Sequence, residues 1–133
     1  MTELVYINSQ ELHDTWPIVR DGLEVVENKI SPEWIPEDIY NALRNNTSHL
    51  HVAYDDAEYD GFVVVTPTVD FDCRTLFVWV AYCPSGNAME RYWPHIKEIA
   101  MKTGSRKVRF SSPREGFKKS SFKAVTTIYE REV

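Results

Sequence analysis

The chain has 133 residues, of which 43% are hydrophobic and 26% are charged, and its net charge is −5. This length fits one domain, residues 1–133, with a hydrophobic core, and the acidic balance disfavours non-specific binding to nucleic acid or to an anionic membrane. No apolar run approaches the roughly 20 residues of a membrane-spanning helix, and the acidic N-terminal segment lacks a signal-peptide pattern, so we expect a cytoplasmic protein.

The first part of the chain predicts one strand followed by two helices. Leu4–Ile7 forms a short apolar strand, and Ser9 can cap the helix that follows. Pro17 leaves a separate first turn of this helix open as an alternative. A second helix begins at Pro36 and is ended by Asn45-Asn46. The first helix is amphipathic, with a stripe in steps of four and three that we assign to the core: Leu12, Trp16, Val19, Leu23, Val26 and Ile30.

Three strands are predicted next, and the last of them is the centre of the sheet. Leu50–Tyr54 is a strand, residues 55–61 are a polar hairpin turn, and Phe62–Val65 is a buried returning strand. Thr66–Cys73 is predicted to be a connection. Leu76–Ala81 is rich in β-branched and aromatic residues, which indicates a strand buried on both faces.

Two pairs of chemically versatile residues belong to this strand region. His49 and His51 alternate on one strand face, but no third ligand is in view, so we interpret them as ordinary strand residues and predict no metal site. Cys73 and Cys83 are separated by about 33 Å of extended chain, which is too far for a disulfide bond. Free thiols fit a reducing compartment.

A Gly-containing turn connects the central strand to a third helix. Pro84–Asn87 ends the strand, apolar residues then recur at helical spacing, and Gly104 follows as a stop. A helix start after such a turn directs backbone N–H groups at one point, which suits a phosphate or another anion. We predict that this helix starts near Ala88 with Pro94 inside it. The alternative is a start near Trp93, with the proline in the first turn.

The turn at residues 83–88 resembles the acyl-CoA pyrophosphate loop of the GCN5-related N-acetyltransferases, the GNAT family. That loop reads Gln or Arg, two residues, Gly, one residue, then Gly or Ala, and Gly86 and Ala88 fit it. Ala100 and Gly104 stand where the family's helix usually has its Ala-x-x-x-Gly ending. The resemblance covers nearly the whole chain in the order of elements.

Three positions depart from the family pattern. Cys83 stands where Gln or Arg is expected, Pro94 falls inside the helix, and Phe117 falls where the family has a Tyr. No His is placed beside Cys83 by spacing, so we interpret this residue as a small buried side chain rather than a nucleophile. The departures favour an alternative function, a catalytically inactive GNAT-like binding or structural module, similar in size to GNAT-like proteins of tailed phages.

The resemblance implies an α/β fold with a mixed, mostly antiparallel sheet of six or seven strands and helices on both faces. The C-terminal part of the chain agrees with that order, with a strand at Ser105–Ser111, a short helical turn at Pro113–Lys119 and a last strand at Phe122–Val133. Basic residues of this part either face the CoA phosphates or form an ordinary solvated surface: Arg106, Lys107, Arg109, Arg114, Lys118 and Lys119.

The resemblance also implies an acyl-CoA-dependent N-acyltransferase that moves an acetyl group from its cosubstrate acetyl-CoA to an amine of an unidentified small molecule or protein. A backbone N–H near Val80 polarises the thioester carbonyl if a bulge separates this strand from its neighbour. A homodimer is a possible assembly. The implied cofactor-binding positions are Val80, Ala81, Tyr82, Cys83, Ser85, Gly86, Asn87, Ala88 and Arg114.

In the family, the segment between the first two helices often forms a wall of the acceptor site. This makes Glu33, Trp34 and Glu37 candidates for that wall. Glu33 and Glu37 are also the candidates for the base that deprotonates the amine, and Tyr82 is a candidate for the acid that protonates the leaving thiolate. A capped helix start with a packed Trp explains the same segment without any function.

Overall fold

The computed structural model of the chain describes residues 1–30, 32–70, 72–111 and 131–132, with the side chain of residue 70 not described. The order of elements is strand, two helices, three strands, helix, strand. Their bounds are β1 (Thr2–Ile7), α1 (Leu12–Ile30), α2 (Pro36–Arg44), β2 (His49–Asp55), β3 (Glu58–Asp70), β4 (Cys73–Tyr82), α3 (Ala88–Lys102) and β5 (Lys107–Phe110).

The strands form one mixed sheet whose spatial order follows the chain, β1-β2-β3-β4-β5. The first three pairs are antiparallel, and β5 pairs in parallel with β4 after the crossover through α3. The described sheet therefore has five strands and not the six or seven predicted. The predicted helical turn and most of the predicted last strand lie outside the described residues.

Helices cover both faces of the sheet, as predicted. Two core clusters are separated by the sheet, because successive side chains of a strand point to opposite faces. On one face α1 and α2 contribute Val19, Leu23 and Ile39, which pack with Phe62 and Val64. On the other face α3 contributes the fully buried side chains Tyr92 and Ile96, together with Val63, Val65 and Leu76 from the strands.

The β3–β4 hairpin differs from its prediction. Thr66–Cys73 is not a loose connection, because β3 continues to Asp70 and stays in register with β4 up to the pair Asp70↔Cys73. Pro67 is compatible with this strand, because β2 pairs with β3 only up to Val65 and no described strand needs a hydrogen bond from residue 67 on that side. The predicted polar turn at 55–61 narrows to Asp56-Ala57, both with positive φ.

The first helix also differs in detail from its prediction. α1 is one continuous helix from Leu12 to Ile30 with Pro17 inside it, so no separate first turn exists. Asn8, not Ser9, supplies the cap, since its Oδ1 accepts the N–H groups of Gln10 and Glu11 at 2.9 Å each. Among the described residues no helix is long and apolar enough to cross a bilayer.

The start of α3 agrees with the prediction. The helix begins at Ala88, Pro94 lies inside it, and its last turn is followed by Gly104 in a left-handed conformation at φ 72°. Pro94 is exposed, so the helix carbonyl that loses its partner there lies on the solvent side. The end of β4 and the first turn of α3 are thus joined by only five residues, 83–87.

Candidate active site

A β-bulge interrupts β4 in its centre. Val65 pairs with Val78 and Val64 pairs with Val80, so Trp79 has no partner on β3. Residues two apart on a regular strand share a face, yet Val78 packs in the α3-side core while Val80 packs in the core under α1 and α2. The bulge therefore shifts the alternation of side chains, so that residues of β4 beyond Trp79 point to the opposite faces from those a regular strand would give them. The bulge near Val80 that the sequence prediction required is present.

The parallel pairing of β4 and β5 ends beside this bulge. The last pair is Val78↔Phe110, so residues 79–82 of β4 have no partner strand on that side within the described part of the chain. A gap opens there, which we call the cleft, with a volume of about 170 Å³. Its lining residues come from the end of α1 (Val25, Val26, Lys29, Ile30), from Trp34, from 78–83 and 86–89, and from Phe110 and Ser111.

The turn at residues 83–87 places the start of α3 beside the cleft. The Gly86 N–H donates to the Cys83 carbonyl at 2.9 Å, and Gly86 and Asn87 both have positive φ, 86° and 57°. No side chain caps α3, so the first N–H groups of the helix are unsatisfied. A β-carbon placed on Gly86 would meet nothing within 4 Å, so the space beside this residue is open. This arrangement suits an anion such as a pyrophosphate.

A hydrogen-bonded cluster fixes that helix start to the sheet. Asp60 of β3 accepts Arg91 Nε at 2.7 Å and Arg91 Nη2 at 3.0 Å, and the Tyr92 hydroxyl donates to the same carboxylate at 2.6 Å. The Arg91 guanidinium holds the pKa of Asp60 below its usual value. Burial raises the pKa of Tyr92, and the hydrogen bond to Asp60 raises it further. The start of α3 is therefore placed by a charge-assisted contact that reaches across to β3.

Close backbone approach completes this attachment. A β-carbon on Gly61 would collide with the Tyr82 carbonyl oxygen and would lie 2.5 Å from the Tyr92 hydroxyl. On the other face, a β-carbon on Gly22 of α1 would lie 2.6 Å from the Phe62 ring and 2.8 Å from the Tyr82 ring. Both glycines are required for space, and together they bring β3 and α1 close to the end of β4.

The cleft brings together most of the predicted cofactor-binding residues. Val80, Ala81, Tyr82, Cys83, Gly86, Asn87 and Ala88 all line it. Ser85 does not line the cleft; it is exposed, and its Oγ lies 3.0 Å from Cys83 Sγ. Arg114, like Phe117, lies outside the described residues.

The two predicted acids are placed elsewhere. Glu37 is in the first turn of α2, where its carboxylate pairs with Arg20 Nη1 of α1 at 2.8 Å. Glu33 is exposed in the segment before α2. Neither lines the cleft, whereas their neighbour Trp34 does. The start of α2 determines where these residues lie, because Asp38 Oδ2 accepts the Ile35 N–H at 3.0 Å and Pro36 is buried.

Sequence reasoning missed the wall of the cleft that α1 provides. Val25, Lys29 and Ile30 line the cleft, and Val26 does so as well, although the apolar stripe of α1 was assigned to the core alone. The signal in the sequence is the adjacent pair Val25-Val26, which makes the apolar surface of α1 wider than one stripe requires. Among the described lining residues Lys29 is the only charged side chain, and none is Asp, Glu or His.

The histidine pair lies away from the cleft. Tyr6 contacts both rings, with centroid distances of 5.9 Å to His49 and 5.5 Å to His51. Burial lowers the pKa of His51 to about 4, and the nearby His49 and Lys102 act in the same direction. Within the described residues no group of three or more His, Cys, Asp or Glu side chains is placed to bind a metal ion.

Solved structures with the same architecture include acetyltransferases. A ribosomal-protein-alanine N-acetyltransferase from Brucella melitensis biovar Abortus has a TM-score of 0.69 and 14% identity, covering 100% of this chain and 99% of its own. A predicted acetyltransferase from Clostridium acetobutylicum, solved with acetyl-CoA, has a TM-score of 0.65 and 15% identity, covering 99% and 96%. An aminoglycoside acetyltransferase from an uncultured soil metagenomic sample, in complex with sisomicin, has a TM-score of 0.65 and 11% identity, covering 98% and 97%.

No family model matches the sequence, and no curated protein matches it. The structural likeness nevertheless spans almost the full length of both chains in each comparison. The chain therefore has the fold of the GNAT-type acetyltransferases, as the resemblance of residues 83–88 implied.

Proposed function

On the premise of this acetyltransferase fold, we propose that the chain is an acyl-CoA-dependent N-acyltransferase that uses acetyl-CoA as cosubstrate and acetylates an amine. One observation carries the proposal: the bulge at Trp79, the end of the β4–β5 pairing at Val78 and the uncapped start of α3 all meet at one cleft. Each feature alone is common, but together they supply the donors that a thioester and a pyrophosphate require.

Two parts of the backbone bind the cosubstrate, the turn at residues 83–87 with the start of α3 and the edge of β4 at Val80–Tyr82. The N–H groups of Asn87, Ala88 and the first turn of α3 bind the pyrophosphate, because the space beside Gly86 is open and no side chain caps the helix. The edge of Val80–Tyr82 accepts the amide-containing arm of CoA as an added strand, since no described strand pairs with it on that side. Both roles are performed by the backbone, so the Cys83 departure from the family pattern does not remove them.

The chemistry then follows from the bulge. The N–H of Val80, next to the unpaired Trp79 of the bulge, donates to the thioester carbonyl oxygen and stabilises the negative charge that develops on it. Tyr82 lines the cleft and is the described hydroxyl that we assign to protonating the thiolate. The described lining offers no carboxylate or imidazole, so we propose that the amine loses its proton to water at the mouth of the cleft.

The cofactor assignment is tested by thermal unfolding with acetyl-CoA. A ligand of the native state raises the melting temperature by mass action, so millimolar acetyl-CoA is expected to stabilise the parent protein. Gly86→Glu should abolish the shift, because it places a carboxylate against the phosphates. Gly86→Ala is the matched control: it carries the same backbone strain at positive φ but no charge, and its β-carbon meets nothing within 4 Å. A parent protein that shows no shift contradicts the proposal.

A second function is favoured by one observation, the lack of any Asp, Glu or His among the described lining residues. A GNAT-like module without catalysis needs no base, and it would bind its partner through the same cleft or elsewhere. It differs from the enzyme in one measurable respect, since it releases no thiol from acetyl-CoA when amines are present.

A further inference from the structure

The side of the cleft formed by the end of α1 differs in its side-chain chemistry from the side formed by the turn at residues 83–87. Val25, Val26, Lys29 and Ile30 at the end of α1, with Trp34 beside them, form what we call the acceptor wall. α1 packs on the sheet face opposite α3, so this wall and the turn before α3 approach the bulge from opposite sides. The proposed function leaves the acceptor wall free for the amine.

The charge of the acceptor wall is opposite to what a polycationic acceptor requires. Lys29 is the one charged side chain among the described lining residues, and no carboxylate lines the cleft there. Lys29 makes no ion pair with another described residue. A polyamine or an aminoglycoside carries several ammonium groups, which would be repelled by Lys29 and would find no counter-charge among the described lining residues. A carboxylate, in contrast, complements this wall.

The polarity of the acceptor wall limits the rest of the acceptor. Except for Lys29, the acceptor wall is made of aliphatic side chains and one indole. Such a surface suits an apolar side chain, and the flat face of the Trp34 indole suits an aromatic ring in particular.

We infer that the acceptor is an amino acid with an apolar side chain, preferably an aromatic one, whose carboxylate pairs with Lys29 while its side chain packs on Trp34 and Val26. The inference rests on the proposed function and names its substrate class. In the reaction the amine nitrogen bonds to the thioester carbonyl carbon and the carbon–sulfur bond breaks. Of the two protons that leave the ammonium group, one ends on the CoA thiol and one enters solvent.

The test compares an amino acid with its uncharged amide and with a polyamine. L-phenylalanine, L-phenylalaninamide and spermidine are each supplied with acetyl-CoA, and thiol release is measured. The parent protein should use phenylalanine with a KM about tenfold or more below that for the amide, as expected for a charge-assisted contact, and should not use spermidine. Equal KM values for phenylalanine and its amide, or a preference for spermidine, overturn the inference.

Variants of Lys29 separate recognition from a structural effect. Lys29→Met should raise the KM for phenylalanine about tenfold and leave the KM for the amide unchanged, and Lys29→Glu should favour the amide over phenylalanine. Lys97→Met is the matched control and should change neither value, because Lys97 is an exposed residue of α3 that does not line the cleft. If Lys29→Met weakens both acceptors equally, Lys29 does not recognise the carboxylate and the inference is wrong.

Failure of the inference can be distinguished from failure of the proposed function. If acetyl-CoA stabilises the protein and is turned over with the amide or the polyamine instead, the enzyme assignment stands and the acceptor class is wrong. If acetyl-CoA binds without turnover, calorimetric titration of phenylalanine and of its amide into the acetyl-CoA-saturated protein decides: binding of phenylalanine alone, lost in Lys29→Met, supports the acceptor class, and any other pattern refutes it. If acetyl-CoA does not bind, both assignments fail.

Discussion

At the scale of single residues, the candidate site depends on side chains that never touch a substrate. Asp60 is the clearest case, since its carboxylate satisfies the buried Tyr92 hydroxyl and pairs with Arg91 in two parallel contacts. None of this was predictable from the sequence. Asp60 lies in a polar segment that reads as a hairpin turn, and its partners are 31 and 32 residues away in the chain. Only the register between β3 and the start of α3 brings them together.

Replacing Asp60 with Ala should destabilise the protein by about 1–3 kcal/mol, because the Tyr92 hydroxyl is then buried without an acceptor. The measurement is urea unfolding, with the m-value checked to be unchanged. Tyr92→Phe is the matched control, since it removes the donor and leaves the Asp60–Arg91 pair intact, and it should cost less. If both variants lose the same stability, or Asp60→Ala loses none, the cluster does not have the role assigned to it.

At the scale of elements, the apolar run at 76–81 was sufficient to predict the central strand but not its length. β4 extends from Cys73 to Tyr82, and β3 runs through Thr66-Pro67-Thr68, where a proline and two polar residues do not predict a strand. The bulge at Trp79 was stated only as a condition of the chemistry, because a bulge is a mismatch between two strands and has no signature in one of them. In contrast, α3 starts where the register of Ala88, Ala100 and Gly104 predicted.

That start of α3 has a consequence for stability. Pro94 lies inside the helix, where proline costs about 3 kcal/mol relative to alanine, while the freer unfolded chain of the alanine variant offsets up to about 1 kcal/mol. Pro94→Ala should therefore stabilise the protein by about 2 kcal/mol in urea unfolding. Pro36→Ala at the first position of α2 is the control and should give no gain, because no N–H is needed there. A Pro94→Ala variant no more stable than the parent would contradict the helix start at Ala88.

At the scale of the whole molecule, the cleft is assembled from residues 25 to 111 of the chain. The local motif at 83–88 could be found from the sequence because its residues are contiguous, and Trp34 could be found from the order of elements. The acceptor wall of α1 could not be found in this way. Helical periodicity identifies the apolar face of α1, but it does not show that Val25 and Ile30 on this helix border the cleft.

The central claim is that this cleft transfers an acetyl group, and the most direct test is to measure both products of that transfer at once. The parent protein is incubated with acetyl-CoA and L-phenylalanine, with L-phenylalaninamide and spermidine in parallel, and free CoA and N-acetylated amine are quantified by mass spectrometry. We expect both products to accumulate in equal amounts with phenylalanine, well above the rate without protein, with the rate lost in Gly86→Glu and retained in Gly86→Ala. Binding of acetyl-CoA with no acetylated product from any of the three amines would contradict the account and leave the chain a binding module with an acetyltransferase fold.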